Sequence, residues 1–139
     1  MSLNGIDTSA WPVIVAFHGH YLVPWADSRV AVGATRESVG YAPRTTAAGV
    51  REVLSEALRV APGLADASIA DIRVGLRPAT PDNLPILGAV PGVRNVYFAT
   101  GHGASGLQLG PFSGKVMANL VLNGAAGADI EAFSVTRFG

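Results

Sequence analysis

The sequence predicts an α+β fold in which an antiparallel or mixed sheet carries an amphipathic helix and is followed by a C-terminal strand, loop and helix. Three observations support this prediction. Short apolar runs separated by turn residues occupy positions 13–35, a pattern typical of antiparallel meanders. Apolar residues then recur at helical spacing over 50–61. Finally, a β-type run at 95–100 gives way to a glycine-rich turn and a second helical pattern.

Composition places the chain among globular proteins. It has 139 residues, of which 49% are hydrophobic and 14% charged, and this is enough for one domain with a real core. No run approaches the roughly 20 apolar residues needed to span a bilayer, and the N-terminus lacks a signal-peptide profile. We therefore expect a soluble, cytoplasmic protein without a membrane-spanning segment.

Charge and residue types exclude several function classes. Ten basic and ten acidic residues cancel, and without a Lys/Arg cluster neither nucleic acid nor an anionic membrane surface is an expected partner. The absence of cysteine excludes disulfides and thiolate chemistry. His18 and His20 share a strand face, but no carboxylate at ligand spacing completes a set, so we predict no metal site. Ser105 lacks the surrounding motif of a hydrolase.

The first elements form the predicted meander. Residues 1–11 are polar and turn-rich, and we interpret them as a disordered, vector-derived start. Strands are expected over three ranges, 13–17, 21–25 and 29–35. Gly33 inside the third strand indicates a bulge or a close approach of backbone. The loop over 36–44 is placed to overhang a pocket.

An amphipathic helix is predicted next. Thr45 or Thr46 offers its N-cap, and Pro62-Gly63 ends the pattern. The apolar face consists of six residues at helical spacing: Val50, Val53, Leu54, Ala57, Leu58 and Ala61. Charged residues fall on the other side, so we expect this helix to lie on the sheet.

The following segment is predicted to contain a strand, a stiff connection and a hairpin. The run 70–76 is apolar throughout, which predicts a strand covered on both faces. Arg77 ends it. Three prolines then stiffen the chain without allowing a regular ladder: Pro78, Pro81 and Pro85. Leu84–Val90 and Asn95–Thr100 flank the turn pair Pro91-Gly92 and so predict a hairpin.

The chain is expected to end in a helix and a tail. Helical spacing runs from Gly106 or Gly110 to Leu122, and Asn123-Gly124 closes it. Residues 124–139 are interpreted as a loosely attached tail.

Two features indicate a small-molecule site. Arg77 places one cation where the apolar run meets the proline-rich loop, and its guanidinium can bind a carboxylate through two hydrogen bonds. An ion pair with Asp82 or Asp71 is the structural alternative. At 101–106 backbone N–H groups crowd at the mouth of the last helix, which suits an anion or a dipole. A plain strand-to-helix connection remains the alternative there.

Several segments together resemble one family. They are Gly-Leu-Arg-Pro-Ala-Thr-Pro-Asp-Asn-Leu-Pro-Ile-Leu-Gly at 75–88, Ala-Thr-Gly-His-Gly at 99–103, Gly-Leu-Gln-Leu-Gly-Pro at 106–111, Tyr-Leu-Val-Pro at 21–24 and Arg-Val-Ala-Val-Gly-Ala-Thr at 29–35. This combination resembles the C-terminal part of the FAD-dependent D-amino acid oxidase family, closest to the branch of glycine oxidase and D-amino acid dehydrogenase. The resemblance covers residues 12–123. It implies a substrate-binding domain over 12–100 and a flavin-facing loop and helix over 101–123.

The resemblance also implies a substrate site. The family's arginine at the position of Arg77 grips the substrate carboxylate with a two-pronged salt bridge, and Tyr21 would donate its hydroxyl to the same carboxylate. Arg36 stands where the branch places a pocket-wall residue, and a second cation there would favour an acidic substrate. From the residues alone, Tyr21 reads as a core or rim residue and Arg36 as an exposed loop residue. No catalytic acid or base is assigned.

By the same resemblance, one stretch would face the FAD cofactor, with its amides stabilising negative charge on the reduced ring. Its residues are Gly101, His102, Gly103, Ala104, Ser105, Gly106, Leu107 and Gln108. Ala104 departs from the family pattern, because the branch often carries an arginine there. The identity of the substrate therefore stays open.

The implied reaction oxidises a small D- or achiral amino acid: a hydride passes from the α-carbon to the flavin, and an imino acid results. The G-x-G-x-x-G match at 101–106 lies too near the C-terminus to open a dinucleotide-binding unit, and we interpret it as coincidental. We expect a fragment without the N-terminal FAD-binding half, inactive and free of FAD by itself. Homodimerisation would cover apolar surface left exposed. The alternative is a stand-alone ligand-binding or interaction module without redox activity.

Overall fold

The computed structural model describes residues 1–139, apart from the side chain of Phe17. The chain divides into two compact units, Met1–Gly75 and Leu76–Gly139. The first unit combines a small antiparallel sheet with one helix, and the second combines a hairpin with another helix. These elements confirm the α+β prediction.

The sheet of the first unit is the predicted meander. Its strands β1 (Ile14–Val15), β2 (Tyr21–Trp25) and β3 (Arg29–Gly33) are antiparallel neighbours in chain order. Strand β1 is shorter than predicted because the chain turns at His18 and Gly19, which have φ angles of 63° and 77°. The short loops between the strands explain why turn residues in the sequence predicted this topology.

Helix α1 (Ala47–Val60) begins at the predicted cap. The Thr46 hydroxyl accepts a hydrogen bond from the Gly49 amide at 3.1 Å, which satisfies one of the free donors of the first turn. The helix ends where Pro62 opens a short turn. Its C-terminal side chains pack on a core that also takes residues from β2, β3 and this turn; the buried members are Leu3, Leu22, Val30 and Leu64. The helix therefore lies on the sheet as predicted.

The first eleven residues differ from the expected disordered start. Ser2 forms bridges to both Arg29 and Ser68, and Leu3 is buried in the core. Thr8 is fully buried, and its hydroxyl donates to the Trp25 carbonyl oxygen. The start of the chain is ordered because it pairs beside β3 and inserts an apolar side chain, two contacts that its polar composition did not indicate.

The second unit contains the predicted hairpin and helix. Strands β4 (Ile86–Ala89) and β5 (Tyr97–Thr100) are antiparallel, and helix α2 spans Gly106–Asn123. Gly124 ends the helix in the left-handed conformation with φ 72°, as the Asn-Gly pair predicted. The buried face of α2 is narrow and consists of Ser113, Val116 and Met117.

The apolar run 70–76 does not form the predicted strand. The described residues show no ladder there, and Ile72, Val74 and Leu76 stay 47%, 46% and 45% exposed. A strand exists only where a neighbour takes its backbone hydrogen bonds. The apolar composition of 70–76 predicted an extended strand, but composition does not show whether a neighbouring strand is there to pair with it.

The C-terminal residues also differ from the expected loose tail. Two short 3-10 turns, Glu131–Phe133 and Val135–Phe138, follow α2. Arg137 in the second turn forms an ion pair with Asp82. The tail is attached because this pair joins it to the loop that precedes β4.

We predict that Val30→Ala will lower the free energy of unfolding by about 2 to 3 kcal/mol, because it removes two buried methyl groups and leaves a cavity. Val30 is 2% exposed. The matched control is Val15→Ala on β1, where the side chain is 77% exposed, and this change should stay within about 0.5 kcal/mol. Urea titration followed by fluorescence measures both variants, since Trp11 and Trp25 lie in the same unit. Equal effects of the two substitutions would contradict the assigned core.

Candidate functional site

Arg77 lies at the start of the second unit, in an exposed segment directly before Pro78. The two carboxylates that the sequence offered as its partners each pair with another arginine. Asp71 forms an ion pair with Arg73, and Asp82 forms one with Arg137. Arg137 donates to Asp82 and thereby holds the pKa of that carboxyl well below its usual range. Both acids therefore take part in ion pairs with these two arginines.

The loop after Arg77 is closed by its own hydrogen bonds. The buried Thr80 hydroxyl donates to the Leu84 carbonyl oxygen at 2.7 Å. The Asn83 amide donates to the Thr80 carbonyl oxygen at 3.2 Å, and the Leu84 amide donates to an Asp82 carboxylate oxygen at 3.1 Å. These bonds add to the stiffness that the prolines predicted, so the segment is a defined loop without being a strand.

This loop contacts the glycine-rich turn that follows β5. The Gly103 amide donates to the Pro78 carbonyl oxygen at 2.9 Å. Gly101 has φ 78°, and a Cβ built on it would lie 2.7 Å from the Cγ2 atom of Thr80. Only glycine fits both the backbone conformation and the space. The structure therefore brings the residue after Arg77 against the stretch predicted to face the flavin.

The His102 side chain is held by helix α2. Its Nε2 atom lies 2.9 Å from the hydroxyl oxygen of Ser113, and Ser113 is only 5% exposed. This hydrogen bond ties the glycine-rich turn to the second turn of the helix. The imidazole therefore has a structural partner, and the backbone of the turn is held in one arrangement.

The first turn of α2 follows directly on the 3-10 turn Gly103–Ser105. The helix begins at Gly106, and in the part of the chain that the structure describes the side chain of Ser105 makes no capping hydrogen bond. The first N–H groups of an α-helix have no partner within the helix and carry its positive dipole end. Ala104 and Ser105 precede this turn and are exposed, as are Leu107 and Gln108 within it. The arrangement can stabilise negative charge brought against it.

Tyr21 and Arg36 belong to the first unit. Tyr21 pairs with Gly33 across the sheet, and a Cβ on Gly33 would lie 2.6 Å from the phenol oxygen. The tyrosine ring thus lies over the neighbouring strand, so the space beside Gly33 is taken by a side chain and not by the predicted bulge or approach of backbone. Arg36 packs in a similar way on Gly19, where a Cβ would lie 2.9 Å from its Nη2 atom. Because glycine has no side chain, Gly33 leaves room for the Tyr21 ring and Gly19 leaves room for the Arg36 guanidinium.

The histidines near β2 do not assemble a metal site. His20 is buried, and its Nε2 atom lies 3.2 Å from a Glu52 carboxylate oxygen on α1. In residues 1–139, leaving aside the side chain of Phe17, no group of three or more potential ligand side chains comes together. His20 therefore contributes to packing between the sheet and the helix.

Sequence reasoning missed three residues that shape this region: Thr80, Ser113 and Arg137. Each of them contacts a partner distant in sequence or makes a buried polar contact. Contacts of these two kinds leave no periodic pattern in the sequence.

The described helices include none that is both long and apolar enough to cross a membrane.

Comparison with known proteins places these features in a family. The family model described as FAD dependent oxidoreductase (DAO) matches residues 2–120, which include most of the segment expected to be vector-derived. An uncharacterized oxidoreductase, YurR, of Bacillus subtilis (strain 168) is 46% identical over 94% of this chain and 36% of its own length. Glycine oxidase of Geobacillus kaustophilus (strain HTA426) is 35% identical over 89% of this chain and 33% of its own length.

Solved structures agree with the sequence relatives. The crystal structure of iminodiacetate oxidase from Chelativorans sp. BNC1 superimposes with a TM-score of 0.89 at 45% identity, covering 96% of this chain and 36% of that chain. The chain thus spans about a third of the length of these proteins. The sequence resemblance is confirmed, and the chain belongs to the DAO family of FAD-dependent oxidoreductases.

Proposed function

We propose that this chain is the substrate-binding and flavin-contacting part of an enzyme that oxidises a small amino acid, D- or achiral, at its CH–NH2 group. FAD, when bound, would accept the hydride from the α-carbon, and the substrate would lose a proton from nitrogen to give the imino acid. The observation that carries the proposal is the hydrogen bond from Gly103 to Pro78. It supports a site in which the arginine before Pro78 binds the substrate and the amides after Gly101 contact the flavin beside it.

In this proposal Arg77 anchors the substrate carboxylate. A planar guanidinium binds a carboxylate through two parallel hydrogen bonds, which fixes orientation as well as position. Orientation is what this chemistry requires from the protein, because the cofactor carries the electrons.

The stretch from Gly101 to Gln108 would contact the flavin. The fit rests on two observations: the first turn of α2 lacks a side-chain cap in the described structure, and Gly101 leaves no space for a side chain beside Thr80. Amides held in this way can stabilise negative charge on the reduced flavin ring without reorganising. The Ala104 side chain carries no charge, so the backbone amides alone would stabilise the negative charge on the flavin ring.

The family resemblance supports proposed roles for two residues of the first unit. Tyr21 would donate its hydroxyl to the substrate carboxylate, and Arg36 would offer a second cation. The relatives' names fit this arrangement: glycine carries one carboxylate, and iminodiacetate carries two. We therefore propose that Arg36 favours substrates with a second acidic group.

The chain alone should not retain FAD, because its G-x-G-x-x-G match at 101–106 follows a strand of an antiparallel hairpin and does not open the βαβ unit that binds a pyrophosphate. Gel filtration of the chain mixed with FAD tests this, with absorbance recorded at wavelengths for the protein and for the flavin. We expect the flavin to elute separately from the protein. Flavin that co-elutes with the chain would contradict the proposal that this chain lacks the FAD-binding half.

We predict that Arg77→Ala in the whole flavin-bound protein lowers kcat/KM for glycine roughly 10- to 100-fold, mainly by raising KM. Hydrogen bonds to a charged group contribute about 1.5 to 3 kcal/mol, and these would be lost. Arg73→Ala is the matched control, because that arginine lies four positions upstream with an 86% exposed side chain. Equal kinetics for wild type and Arg77→Ala would remove Arg77 from the site.

Arg36→Ala should reduce discrimination between dicarboxylic and monocarboxylic substrates. The ratio of kcat/KM for iminodiacetate to kcat/KM for glycine measures it, and we expect the ratio to fall about tenfold as one charge-assisted contact disappears. Arg44→Ala, in the same loop and exposed, is the control and should leave the ratio unchanged. If the wild-type protein already shows no preference for the second carboxylate, the role proposed for Arg36 is wrong.

A further inference from the structure

The C-terminal turn carries an arginine whose donors point inward. Arg137 lies in the 3-10 turn Val135–Phe138, and its side chain is only 16% exposed. Its Cζ atom lies 4.3 Å from the centre of the Phe138 ring. An arginine held this way is unusual, because long charged side chains normally keep their heads in water.

The guanidinium makes four hydrogen bonds within the second unit. Nε donates to Asp82 Oδ2 at 2.6 Å and Nη2 donates to Asp82 Oδ1 at 3.1 Å, so the pair is two-pronged. Nη2 also donates to the Leu84 carbonyl oxygen at 2.8 Å, and Nη1 donates to the Ser134 carbonyl oxygen at 3.1 Å. The four bonds come from all three guanidinium nitrogens, and a lysine could not reproduce this fork geometry.

These contacts fall on the loop that begins after Arg77. The Leu84 carbonyl oxygen accepts from both Arg137 and the Thr80 hydroxyl, so it links the C-terminal turn to the buried residue of the loop. At the other end of the loop, Pro78 accepts from Gly103. The loop is thus fixed at its start by the glycine-rich turn and at its end by Arg137.

We propose that Arg137 is a positioning residue for the carboxylate site: it fixes the loop 78–84 and thereby the direction in which Arg77 presents its guanidinium. This inference rests on the proposed function of Arg77. Arg137 touches neither substrate nor flavin in this account. Its removal frees the end of the loop, so Arg77 samples several orientations and binds the carboxylate less well. Misplacement of a binding group by about 1 Å can cost roughly 100-fold in rate.

The test is a double-mutant cycle in the whole flavin-bound protein. Arg137→Ala should lower kcat/KM for glycine roughly 10- to 100-fold and should weaken inhibition by acetate, a carboxylate without an amine. In an Arg77→Ala background the same substitution should have little further effect, because the group it positions is already gone. A purely structural role predicts that Arg137→Ala costs the same factor in both backgrounds, and that result would overturn the proposal.

Two further variants keep the test decisive. Arg137→Lys retains the charge but not the fork, so it should fold and show a smaller loss that appears mainly in KM; wild-type kinetics in this variant would also count against the proposal. Arg59→Ala removes an arginine–carboxylate pair of the first unit, Arg59 with Glu56, and should leave kcat/KM unchanged. If the wild-type protein binds flavin but oxidises no amino acid, the proposed function fails. If it is active and the cycle is additive, only the positioning role fails.

Discussion

The hydrogen bond between Gly103 and Pro78 is the contact on which the rest of the second unit depends. It joins two stretches with no regular pairing between them, the proline-rich loop and the turn that opens α2. Thr80 and Gly101 make this contact close, because the glycine leaves room for the threonine methyl. Since Arg77 directly precedes Pro78, its main chain adjoins the same contact.

Two glycines of the first unit also make room for close contacts. Gly33 lets the Tyr21 ring lie across the sheet, and Gly19 lets the Arg36 guanidinium approach the backbone. In each case a polar group is held by packing against main chain, which costs less side-chain entropy on binding than holding a free side chain.

Local signals predicted much of the fold. The Thr46 cap, the helical spacing of α1 and the turn pair of the hairpin depend on neighbours within a few residues, and all three were confirmed. The failures have a common physical cause. The strand expected over 70–76 and the disorder expected over 1–11 both depend on whether a distant segment supplies a partner, and composition does not report this.

The same distinction applies to the candidate site. The family motifs pointed to Arg77 and to the stretch from Gly101 to Gln108 as candidates, because each lies within a continuous segment that is characteristic of the family. Arg137 escaped notice because its ion pair with Asp82 spans 55 positions, and an isolated arginine in a short tail has no pattern. Ser113 was read as part of a helix, whereas its hydroxyl contacts His102.

The most direct test is a crystal structure of the whole flavin-bound protein with acetate in the site. The account predicts that the Arg77 guanidinium binds the acetate through two hydrogen bonds of about 2.7 to 2.9 Å, with the flavin ring against the amides of 101–108. A structure in which Arg77 and these amides lie on opposite sides of the bound flavin, with the acetate held elsewhere, would contradict it.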